Sequence, residues 1–396
     1  MNRPQTLPQH VGRRPGTANV IPLLRPTSAA RAGQQNEDFL QQVDERLAQV
    51  VERLIETWRY DLADDAYADD LEYAPVDILA DRDLPEMLRA LTTTGGKRIR
   101  PSMCFWGWAG SGGHRRTGYH DVVQAGAALE LLHIFALIHD DVMDESTSRR
   151  GQPSVRTLAA QLHLHSSARG SAGRFGESIA VLVGDLAHAE ADHLVTELPE
   201  PMRRIWRRLV IELVQGQSRD LTGTAAGRRD LAHARQVARM KSGAYTVQRP
   251  LQLGAAAAGA DPEVVRALTR YGREVGEAFA LRDDLLGVWG DPRLTGKPAG
   301  DDLLCGKPTV ILSLAHDRLR GPALELLGRV GTPALSSADI THLQEALQAS
   351  GVVDAVESRI SGHVHAAVAA LDHHGLDADG VVGLTQMANR IAWRDR

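Results

Sequence analysis

Two pairs of adjacent aspartates close two long apolar runs of this chain. The first reads His139-Asp140-Asp141-Val142-Met143-Asp144-Glu145 and the second, far downstream, Arg282-Asp283-Asp284-Leu285-Leu286-Gly287. Carboxylates a few ångströms apart repel unless a cation neutralises them. Clusters of carboxylate oxygens are what hard divalent cations such as Mg²⁺ prefer. Two such clusters predict two metal stations facing one polyanionic substrate. At helical spacing Asp140 and Asp144 share a face with Asp141 beside them, while Ala136 and then His133 continue that stripe towards the N-terminus. Carboxylates at a helix C-terminus oppose the macrodipole by ~0.3–1 kcal/mol each, so their placement needs a reason, and a metal supplies one.

Cations stand beside these carboxylates. Arg149-Arg150 follow the first cluster directly, and a guanidinium fork suits phosphate oxygens. Upstream, Gly95-Gly96-Lys97-Arg98-Ile99-Arg100 lets backbone amides approach an anion on which Lys97 and Arg100 can converge. It lacks the spacing of a P-loop. Lysine usage sharpens the picture. Lys and Arg total 45, yet the lysines are Lys97, Lys241, Lys297 and Lys307 alone, each within a motif of this kind. A lysine is a compact, flexible point charge where arginine is a broad plane, and a crowded polyanion site distinguishes them.

The elements that must position these groups are helices. Apolar residues recur at three- and four-residue steps from Glu37, through Phe39, Leu40, Val43, Leu47, Val50, Val51, Leu54, Ile55 and Trp58. Similar stretches span 122–143, 177–194, 202–221, 231–258, 262–289, 307–314, 337–349 and 352–371. Strand-like alternation is almost absent. The fold class is all-α: one large helical bundle over 37–396, preceded by a Pro-, Arg- and Gln-rich tail, 1–36, that reads as disordered. With 396 residues, 43% of them hydrophobic, the chain can bury a large core. Two cysteines make no disulfide framework, and a cytoplasmic setting is expected. A net charge of −5 does not advertise nucleic acid, and no membrane span is expected. His163 and His165 read as solvated surface.

In order, GGKRIRP, ELLHIFALIHDDVMDESTSRRGQPSV, GQSRDL, KSGAYT, FALRDDLLG and TGKPAGDDLLCGKPTV resemble the trans-isoprenyl diphosphate synthase (polyprenyl synthetase) family. The series is most similar to geranylgeranyl diphosphate synthases. The resemblance implies a homodimer of the isoprenoid synthase fold with a central active-site cavity. It implies head-to-tail condensation of isopentenyl diphosphate with an allylic diphosphate. Matched by position, Lys97, Arg100, His133 and Arg150 would bind the isopentenyl diphosphate. Arg149, Lys241 and Lys307 would bind the allylic diphosphate, with Lys297 in a flanking loop and Gln217 and Asp220 bracing the site. Asp140, Asp144 and Asp283 would hold three Mg²⁺ ions, for which Mn²⁺ can substitute, with Asp141 and Asp284 in support. Phe135 and Ala136, five and four residues before the first aspartate, would set chain length at C20, and Phe135→Ala would lengthen the product.

Three positions depart from the family's pattern: Ala280 where glutamine is usual, Gly287 where a third aspartate is usual, and Ser242 for threonine. Alternatives are a farnesyl (C15) synthase, a class I terpene cyclase and a non-catalytic subunit of a heteromeric synthase. A ferritin-like di-metal protein is a further one, since Glu130-x-x-His133 and Glu190-x-x-His193 have the required spacing.

Overall fold

A computed structural model describes residues 26–63, 78–79, 82–115, 118–149, 151–291 and 299–395. The helices that matter to the site are α1 (Pro26–Ala63), α2 (Leu84–Thr93), α3 (Ile99–Gly110), α4 (Tyr119–Met143), α5 (Val155–His165), α6 (Ala172–Thr196), α7 (Glu200–Ala225), α8 (Leu231–Val237), α9 (Arg249–Ala257) and α10 (Pro262–Trp289). Further helices follow, among them Asp301–Cys305, Val310–Arg318, Val352–Ala370 and Ala378–Ala392. Among the described residues the strands amount to one antiparallel ribbon, Ser148–Arg149 with Gln152–Pro153. The chain is all-α, as its periodicity predicts.

α4 is the central element. Its apolar residues lie all round the helix, and such a helix has no solvent face to keep. It packs against α3 and α6, while α1 crosses it. By length and composition it could cross a membrane, but 67% of its most apolar window is buried within the fold, as befits a core helix. Phe39 of α1 stacks on Phe105 of α3 with ring centroids 4.8 Å apart, both buried. Every residue of α3 is buried, so it has no polar face to betray it by periodicity.

Three expectations change. α1 begins at Pro26, upstream of the boundary at 37, because Ala32 and Asn36 already pack inside; residues 1–25 of the expected tail lie outside the described residues. The stretch 231–258 is not one α-helix. Between α8 and α9, Ala238–Gln248 forms a π-helix, the wider turn that recurs at functional sites. His163 is buried rather than solvated, 2.9 Å from the Arg169 carbonyl oxygen and packed on Phe175.

Candidate active site

The C-terminal turn of α4, the π-helix, α7 and the C-terminal half of α10 enclose a cavity of about 870 Å³. The approach of two of these elements rests on a glycine. A Cβ on Gly216 of α7 would stand 2.5 Å from the Lys241 backbone nitrogen, so only glycine lets α7 lie against the π-helix. That contact brings Gln217 and Asp220 next to Lys241.

Around Asp140 the charges interlock. Lys241 Nζ donates to Asp140 Oδ1 at 3.0 Å and to Asp220 Oδ2 at 2.6 Å. Gln217 Nε2 lies 3.4 Å from Asp140 Oδ1. Arg149 Nη2 is 3.5 Å from Asp140 Oδ2, while its Nε donates to Asp141 Oδ1 at 3.0 Å. Lys307 Nζ donates to Asp144 Oδ2 at 2.6 Å. Burial alone would push the Asp140 carboxyl up, but Lys241, then Lys307 and Arg149, hold it well below the ordinary carboxylate range. Burial likewise works against the charge on Lys307, and Asp302, Asp140 and Asp144 overcome it, raising that ammonium well above its usual value. Both groups are therefore fixed as ions.

Lys97 and Arg100, with His133, line the same cavity. Arg100 Nη2 donates to Thr246 Oγ1 at 3.0 Å, and its guanidinium stacks 4.0 Å over the Tyr245 ring. His133 Nδ1 lies 2.9 Å from the Tyr245 hydroxyl. Arg98, within the same motif, does something else. It sits at φ 47°, in the left-handed region, and its Nη1 is 2.5 Å from buried Glu130 Oε2. It also reaches Asp44 at 2.8 Å and the Thr92 carbonyl at 3.1 Å. Arg98→Met strands a buried carboxylate and is expected to cost about 3 kcal/mol of stability; a denaturation midpoint equal to wild type would refute this. With Glu130 committed to Arg98, the ferritin-like alternative loses a ligand.

At the downstream pair, Asp283 is ion-paired with Arg394, a residue to which the sequence assigned no role. Arg394 is held in place by stacking 4.1 Å over Phe279 and donating to the Phe279 carbonyl at 3.2 Å. Asp284 accepts from the Val310 backbone N–H at 3.1 Å, so it anchors the start of the next helix as well as lining the cavity.

Of the residues singled out from the sequence, Lys97, Arg100, His133, Ala136, Asp140, Arg149, Gln217, Lys241, Asp283, Asp284 and Lys307 all line this one cavity. Asp141 and Asp144 join it through Arg149 and Lys307. Phe135 does not line it. Its ring lies 4.7 Å from His188 of α6 and 4.5 Å from His139, on the face turned from the aspartates. Arg150 and Lys297 lie outside the described residues. Among those described, no three His, Cys, Asp or Glu side chains are arranged to cage a metal. The donors are carboxylate oxygens, one or two at each pair. That suits Mg²⁺, which keeps several waters and completes its shell with substrate phosphates.

The family model for polyprenyl synthetase matches residues 81–345. The chain belongs to the polyprenyl synthetase family. It is 31% identical over 303 residues to a geranylgeranyl diphosphate synthase of Mycobacterium tuberculosis, covering 75% of this chain and 80% of that one. It is 30% identical over 287 residues to a geranylfarnesyl diphosphate synthase of Aeropyrum pernix, covering 70% and 83%. Among solved structures, a geranylgeranyl pyrophosphate synthase from Corynebacterium glutamicum, complexed with isoprenyl diphosphate and magnesium, superposes with a TM-score of 0.79 at 36% identity. That match covers 89% of this chain and 98% of the other. Polyprenyl synthetases are prenyltransferases that use divalent metal ions, and the carboxylates around this cavity fit such ions by donor type.

Proposed function

We propose that this polyprenyl synthetase joins isopentenyl diphosphate head to tail to an allylic diphosphate, giving a short-chain all-trans prenyl diphosphate, geranylgeranyl diphosphate (C20). One observation carries the reading: a single cavity is lined by two sets of diphosphate-binding side chains, Lys97 and Arg100 with His133, of which Arg100 and His133 meet at Tyr245, and Arg149, Lys241 and Lys307, which pair with Asp140 and Asp144. Two diphosphates need two such sets. A terpene cyclase, with one diphosphate to bind, does not.

Bound Mg²⁺, proposed as three ions on Asp140, Asp144 and Asp283 with Mn²⁺ able to substitute, would neutralise charge developing on the leaving diphosphate. Lys241, Lys307 and Arg149 bind and orient that diphosphate, so the allylic C1–O bond breaks with its electron pair on oxygen. Lys97, Arg100 and His133 hold the second diphosphate, directing its double bond at C1. The proton lost on forming the new double bond goes to the departing diphosphate. Apolar Leu137, Leu213 and Phe279 line the same space and exclude water that would capture the cation.

Chain length then depends on the cavity below Asp140. Ala136 lines it and Phe135 does not, so Ala136→Phe should shift the products towards C15, and Phe135→Ala should move them less. A product ratio unchanged by Ala136→Phe would sink this account. A homodimer is proposed as well, supported by apolar side chains left exposed on α6 and α7, among them Leu182, Ile211 and Val214. The deciding assay incubates purified protein, Mg²⁺ and isopentenyl diphosphate with each allylic primer and sizes the dephosphorylated products. An elongated product abolished by EDTA is expected. No elongation from any primer would favour the cyclase or the non-catalytic subunit.

A further inference from the structure

The downstream aspartate pair stops short at Gly287, and the space a side chain there would occupy is filled. A Cβ built on Gly287 would lie 1.9 Å from Asp302 Oδ2 and 2.6 Å from its Cγ. The carboxylate of a residue on another element therefore sits against α10 where the third side chain of the motif would project. We propose that Asp302 supplies the carboxylate that position 287 lacks, acting with Asp283 on a divalent cation bound with the diphosphate; this rests on the function proposed above.

The placement is built rather than incidental. Gly300, two residues before Asp302, is tied to the motif itself, because its N–H donates to the Gly287 carbonyl at 3.2 Å. The short helix Asp301–Cys305 packs on α10 and is pinned by fully buried Leu303. Asp302 lines the cavity, and its Oδ1 stands 3.9 Å from Lys307 Nζ, which is itself bonded to Asp144. One lysine thus lies between the upstream aspartates and Asp302. Asp284, the other half of the downstream pair, also lines the cavity, but one of its oxygens is committed to the Val310 N–H. A glycine at 287 is then a requirement: any side chain would displace the Asp302 carboxylate.

The test is Mn²⁺ binding in the presence of inorganic pyrophosphate, followed by the electron paramagnetic resonance of free Mn²⁺, on the full chain. Asp302→Asn should weaken Mn²⁺ binding by about 10- to 100-fold without moving the unfolding midpoint measured with no metal present. Gly287→Ala, which leaves Asp302 intact but expels its carboxylate, should give a comparable loss. The pair Gly287→Asp with Asp302→Gly, which returns an aspartate to the helix, should recover most of the affinity. Asp302→Asn binding Mn²⁺ as wild type does would overturn the assignment, as would a Gly287→Ala variant with undiminished affinity. Should wild type itself bind no Mn²⁺ with pyrophosphate, the proposed function fails too, so the two failures are distinguishable.

Discussion

Asp140→Asn is expected to lower turnover of the condensation by about 10³-fold, roughly 4 kcal/mol of barrier. Asp140 is where the cavity's charges meet: Lys241 and Arg149 both reach its oxygens, and Gln217 approaches one of them. Its carboxyl is held below the ordinary range by those cations against burial, so it stays an anion at any pH at which the protein would be assayed. Asparagine keeps the shape and removes the charge. Each cation retains another carboxylate, Asp220 for Lys241, Asp141 for Arg149 and Asp144 for Lys307. The fold should therefore survive, and the loss should fall on the reaction. The check pairs kcat with a thermal unfolding midpoint. A kcat within tenfold of wild type would remove Asp140 from the centre of the mechanism. A collapsed midpoint would show instead that the charge network holds the fold.

Most of the residues that meet in the cavity could be read from the chain before its fold was known. Carboxylates and cations in costly places, at helix ends and in glycine turns, announce themselves by type. The four lysines did so by scarcity. What a sequence withholds is which way a side chain turns once its helix is packed. A helical wheel puts Ala136 on the aspartate stripe and Phe135 off it, and the structure agrees; the family resemblance pointed the other way for Phe135. Arg98 sat in the right motif with the right charge, yet its left-handed backbone aims it at Glu130 and Asp44. No local pattern reports that angle. The π-helix around Lys241 escaped notice because its residues from Gly243 to Gln248 are all buried, leaving no polar face from which a period could be read. Arg394 and Asp302 escaped for a simpler reason: each meets Asp283 or Gly287 across a long sequence separation, and only the packed chain brings them together.

Asp283 offers the sharper separation of stability from chemistry. Its side chain is half exposed, and the guanidinium that pairs with it is held independently by the Phe279 ring and by the carbonyls of Phe279 and Ile391. Arg394 is itself buried but keeps those carbonyl acceptors, and a pair whose carboxylate is open to solvent contributes about 1 kcal/mol or less. Asp283→Ala should thus leave the unfolding midpoint nearly unchanged while reducing turnover by about 10²–10³-fold, because it removes the downstream aspartate proposed to hold a metal ion. The same variant should need more Mg²⁺ for half-maximal rate, since fewer carboxylates remain to hold the ion. A matching loss in Arg394→Met would mean that the arginine, and not the carboxylate, serves the diphosphate at this end of the cavity. Measured side by side, kcat, Mg²⁺ dependence and midpoint assign the pair. Near-wild-type turnover in Asp283→Ala would leave Asp302 and Asp284 as the downstream carboxylates and refute a role for Asp283 in the reaction.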